Sequence, residues 1–77
     1  MLVRSQDNQK ITENIDFTTV ENKKREYEIR HVESWRNYGT YSTLPKAIKV
    51  LDMMERTYRH ERSTFQFPAE KEIKDEE

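Results

Sequence analysis

The chain has 77 residues, 32% hydrophobic and 38% charged, with a net charge of −1. That size gives one domain with a thin core, since a fold this small buries only about 60% of the surface its unfolded chain exposes. The absence of cysteine excludes disulfides and thiolate metal sites together, leaving self-association as the staple for a marginal fold. In chain order, residues 2–5 (LVRS) predict a short first strand, ended by the turn formers Asp7 and Asn8. A second strand is expected from Ile15 to Glu21, followed by a turn at Asn22-Lys23-Lys24. From Arg25 to Trp35 the alternation of Tyr27, Ile29, His31 and Trp35 predicts a longer strand. Val32 breaks that alternation, as a bulge or a doubly covered strand would. Gly39, the only glycine, either opens a turn or lets a strand lie close under a helix.

The clearest element is the segment from Tyr41 to Tyr58. The Ser42-Thr43 pair offers a side-chain oxygen to the first free N–H groups of a helix, and Pro45 fits its first turn. Ala47, Ile48, Val50, Leu51, Met54 and Tyr58 then recur at the spacing of one apolar stripe, with Lys49, Asp52, Arg56 and Arg59 opposite. After it, Phe65-Gln66-Phe67 forms a short apolar alternation that Pro68 ends. The reading is an α+β domain spanning residues 1–68, a small antiparallel sheet of three to four strands with one amphipathic helix packed on one face. Val3, Ile29, Trp35, Leu51, Met54 and Tyr58 are its expected core. Residues 69–77 hold five acidic and two basic side chains and are expected to be a solvated, mobile tail.

Val3-Arg4-Ser5-Gln6-Asp7, Gly39-Thr40-Tyr41-Ser42-Thr43, Ala47-Ile48-Lys49-Val50-Leu51 and Phe65-Gln66-Phe67-Pro68 together carry a resemblance. The chain resembles a family of small proteins of unassigned function from Bacillus-like Firmicutes and their prophages. Pro45 departs from that pattern, in which acidic residues are more usual early in the helix. The resemblance implies a fold and no activity.

Nothing in the chain announces catalysis, a cofactor or a metal. His31 and His60 fall on different elements with no third ligand at metal spacing. Ser5, Ser34, Ser42 and Ser63 lack a nucleophile elbow, and one glycine cannot build a phosphate cradle. Glu26, Glu28 and Glu33 read as a solvated face. No apolar run reaches the roughly 18 residues of a membrane span, and no leader-like segment opens the chain. A reducing cytoplasm is the expected compartment. Two binding readings remain. Phe65 and Phe67 either fold back onto their own sheet or add to a neighbouring chain, and the second option gives a homodimer or a protein partner. The preferred expectation is such an interaction protein, with Phe65 and Phe67 as its interface. The alternative is a nucleic-acid-binding regulator using Arg56, Arg59 and Arg62, although acidic neighbours blunt the positive field.

Overall fold

The computed structural model describes residues 1–73. Six strands and one helix follow in the order β1 (Leu2–Arg4), β2 (Ile11–Thr12), β3 (Phe17–Glu21), β4 (Tyr27–His31), β5 (Asn37–Tyr41), α1 (Leu44–Arg59) and β6 (Thr64–Gln66). A single 3-10 turn, Glu70–Glu72, comes last. The α+β expectation holds, but the strands divide into two sheets. One is an antiparallel meander, β3-β4-β5; the other has the order β2-β1-β6, with β1 and β6 parallel. First and last strands are thus neighbours, so residues far apart in the chain share one surface.

Local chemistry explains the helix. Thr43 caps it, its hydroxyl accepting from the Lys46 N–H at 3.3 Å, and Pro45 lies in the first turn. Ala47, Val50 and Met54 face inward, Leu51 is half-buried, and Ile48 stays exposed on the edge of the stripe. At the other end the Arg62 N–H bonds the Thr57 carbonyl and the Glu61 N–H bonds the Tyr58 carbonyl. This paired closure turns the chain through a left-handed residue, and here that residue is Glu61 (φ 56°) rather than glycine.

The core lies between α1 and the inner faces of both sheets. Val3, Ile29, Tyr41, Ala47 and Val50 are fully buried within it. Phe17, half-buried, packs against it, 5.1 Å from Tyr38 edge-on and 5.4 Å from Phe67, centroid to centroid. Gly39 belongs to β5, and a Cβ there would lie 2.9 Å from the Phe67 ring and 3.0 Å from Tyr41. Close approach is therefore why glycine stands at this position, and the neighbour it admits is Phe67. The register shift in this sheet occurs between β4 and β5 at Ile29 and Arg30, while Val32 projects from the following turn.

Four expectations need correction. Trp35 is 51% exposed because the strand has already ended at His31; the indole stands on a left-handed turn residue (φ 60°) outside the alternation. Tyr58 is 53% exposed because the last helical turn runs past the sheet. Phe65 and Phe67, proposed as an interface, are 8% and 1% exposed inside their own core, 5.6 Å apart. The order of the domain also extends beyond residue 68: Ala69 donates to Glu72 and Ile73 is buried. Residues 74–77 of the expected tail lie outside the described residues.

The segment after β6 is anchored at the start of α1. The Glu70 carboxylate accepts from the Ser42 N–H at 2.9 Å, from the Ser42 hydroxyl, and from Lys46 Nζ at 2.9 Å. The first turn of α1 has no acidic residue, so Glu70 brings the missing negative charge to the positive end of the helix dipole. The Ser42 hydroxyl, then Lys46, holds its pKa below the usual glutamate value. The Tyr41 hydroxyl donates to the Pro68 carbonyl at 2.8 Å, with its pKa raised first by burial and then by Glu70 and Glu72.

Candidate functional site

Where α1 ends, the chain reverses at Glu61 and enters β6, and this reversal gathers side chains from three elements. Arg56, Thr57 and His60 from the last turns of α1 face Arg62, Ser63 and Thr64 across an open cleft. A second cleft lies on the other side of the same reversal, lined by Met1, Tyr58, Arg59 and Glu61, and shares Arg62 and Ser63 with the first. The exposed Tyr58 ring therefore lies beside two arginines, with hydroxyl groups close by.

The cations differ in how they are engaged. Arg59 is paired with Glu55 at 3.0 Å, Lys10 with Asp7 at 3.3 Å, and Arg30 with Glu28 at 2.7 Å. Lys46 is held by Glu70. Among the described residues, Arg56 and Arg62 have no carboxylate within ion-pairing distance. An unpaired guanidinium keeps its full fork of donors for a planar or tetrahedral oxyanion. Of the three arginines expected to bind nucleic acid, the structure brings Arg56 and Arg62 together in one cleft and ties Arg59 to a neighbour. His60 lines the same cleft.

Other chemistry-bearing residues are dispersed. His31 is buried against Phe17 at 5.4 Å, and its Nδ1 lies 3.3 Å from the Ser34 N–H; Nε2 has no hydrogen-bond partner among the described residues. The imidazole packs as part of the aromatic cluster, away from His60. No group of three His, Cys, Asp or Glu side chains converges on a metal-sized space among the described residues. Glu28 holds Arg30, and Ser5 is a buried loop hub whose hydroxyl donates to Asp7 at 2.5 Å and accepts from Gln9 and Lys10. That bond, with the Gln9 N–H, pushes the Asp7 pKa down to about 2. Ser5 thus stabilises a turn, with its hydroxyl engaged on both sides.

A second exposed aromatic, Trp35, lies under the Arg30 guanidinium at 5.8 Å from the ring centroid. Arg30 also donates to the Trp35 carbonyl at 2.5 Å, so this pair is already internally satisfied. No protein-family model, curated protein or solved structure matches the chain. No helix among the described residues is long and apolar enough to cross a membrane.

Proposed function

We propose that this protein is a non-enzymatic, cytoplasmic binding protein whose ligand is single-stranded nucleic acid, held at the C-terminal end of α1. The observation that carries this reading is the convergence in one cleft of Arg56 and Arg62, unpaired among the described residues, with the exposed Tyr58 ring lining the adjoining cleft that shares Arg62. Single strands are bound by stacking bases on aromatic faces while cations follow the phosphates, and this end of the molecule supplies both. Duplex recognition is less well supported. A groove-reading helix presents cations along one face, whereas Asp52 and Glu55 intersperse Lys49 and Arg59 along α1. The absence of cysteine agrees with a reducing compartment. The resemblance to small prophage-associated proteins is compatible with an accessory role and supplies no residue roles.

Fluorescence anisotropy with a labelled oligothymidylate of about 12 nucleotides tests the proposal, since single-strand sites on small domains span about 4–16 nucleotides. Affinity is expected to fall steeply with salt and to drop further in the Arg56→Gln/Arg62→Gln variant. Failure to bind at low salt would remove the reading.

One feature keeps self-association as a second reading. β6 is an edge strand of its sheet, so its backbone can accept another strand even though Phe65 and Phe67 are buried. Light scattering decides this: a monomer at high protein concentration sinks it.

A further inference from the structure

The cleft at the end of α1 does not stop at Thr64. That residue also lines a trough on the outer face of the β2-β1-β6 sheet, together with Leu2, Arg4, Ile11 and Gln66. Strand register explains this face. Leu2 pairs with Thr64, Arg4 with Gln66 and Arg4 with Ile11, so these side chains all point outward, while Val3 and Phe65 point into the core. Leu2 and Ile11 are exposed aliphatic groups flanking one cation. Arg4, like Arg56 and Arg62, has no carboxylate within ion-pairing distance among the described residues. Among the described residues lining this connected surface, Glu61 is the one carboxylate.

We propose that the bound single strand continues from the helix-end cleft across this open sheet face, with Arg4 holding a phosphate and Leu2 and Ile11 forming the apolar floor under its bases. The inference rests on the nucleic-acid reading above and extends it to a second, sequence-distant segment. Three considerations select this occupant. The surface is continuous through Thr64. Its charge is complementary to a phosphodiester chain. A second copy of the same face would instead bring Arg4 towards its own counterpart, which like-charge repulsion opposes.

The test compares labelled oligothymidylates of about 4 and about 12 nucleotides, the limits of small single-strand sites. Each lost phosphate contact lowers the slope of log affinity against log salt by about 0.7 for a single strand. Arg4→Gln is expected to lower that slope by about 0.7 for the longer oligonucleotide and to leave the shorter one unchanged. Arg62→Gln is expected to weaken both. Arg36→Gln, on the β4–β5 turn away from this surface, serves as the control. Circular dichroism melting checks that each variant folds. Should Arg4→Gln misfold, amide shifts of Leu2, Arg4 and Ile11 in the unaltered protein, titrated with the longer oligonucleotide, give the same answer.

An unchanged slope for Arg4→Gln beside a weakened Arg62→Gln overturns the extended path and leaves the helix-end site standing. Equal losses on both lengths also overturn it, because Arg4 would then belong to one compact site. Absence of binding by the unaltered protein at low salt overturns the underlying reading itself.

Discussion

The two sheets put similar residues to different uses. In β3-β4-β5 the inner face is packed with rings, and the cation on the outer face, Arg30, is neutralised by Glu28 and covers Trp35. Even its β5 edge is closed: the Gln6 N–H donates to the Tyr38 carbonyl at 2.7 Å, and the Gln6 side-chain oxygen accepts from the Thr40 N–H at 3.0 Å. In β2-β1-β6 the outer face is left open: among the described residues its arginine, between two exposed aliphatics, has no carboxylate partner, and β6 is an edge strand. A protein selected only for stability gains little from leaving cations unpaired beside apolar groups. The contrast separates a sheet that holds the fold from one that is free to meet a ligand.

The contrast is sharpest where one substitution on each sheet is compared. Gly39→Ala places a methyl group 2.9 Å from Phe67 and 3.0 Å from Tyr41, both fully buried. Overpacking of this kind costs about 1–3 kcal/mol. For a domain of this size each kcal/mol moves the melting temperature by about 4–8 °C. Ile11→Ser, on the open face, is expected to stay within about 0.5 kcal/mol of the unaltered protein. Equal thermal losses from the two substitutions would erase the distinction between the sheets.

Much of this was legible in the chain. The helix was, because its signals are local: a capping threonine, a first-turn proline and a regular apolar stripe. Phe65 and Phe67 were legible as a short strand, but their destination depends on parallel pairing with β1, which no local pattern encodes. The same long-range pairing hid Arg4 from the candidate site. Trp35 misled because nothing marks a tryptophan as a left-handed turn residue, so the alternation seemed to continue through it. Glu61 raises the same difficulty; glycine or asparagine there would have signalled the reversal. Ile73 was the lone apolar residue in a charged run, the one available sign that residues 69–73 are held, as its burial and the Glu70 contact show.

That contact yields a smaller effect with a defined pH dependence. Glu70 has a lowered pKa when folded, so its contribution is present above the unfolded value and is lost as pH falls through the folded one. Glu70→Gln is expected to cost about 0.3–1 kcal/mol at neutral pH, the range for a surface charge at a helix N-terminus, and less as salt screens it. The difference in melting temperature between the two proteins should shrink on acidification below the glutamate range. A difference that stays constant to low pH would show that the bonds of Glu70 matter without its charge.

Substitution at Glu61 bears most directly on the contrast between the sheets. Glu61 combines two unfavourable roles: it occupies the left-handed position that closes α1, and it is the one carboxylate lining the basic surface. A left-handed non-glycine residue costs about 1–2 kcal/mol, and glycine returns part of this as extra unfolded-state entropy. Glu61→Gly is therefore expected to stabilise by about 0.5–1 kcal/mol and to tighten oligonucleotide binding. Glu61→Gln keeps the strained backbone and removes only the charge, so it should tighten binding at an unchanged melting temperature. If Glu61→Gly raises stability and neither variant alters affinity, Glu61 acts only as a poor helix terminator and the surface beside it is not a path for phosphate. If affinity rises in both, the carboxylate restrains a site that the rest of the surface is built to fill.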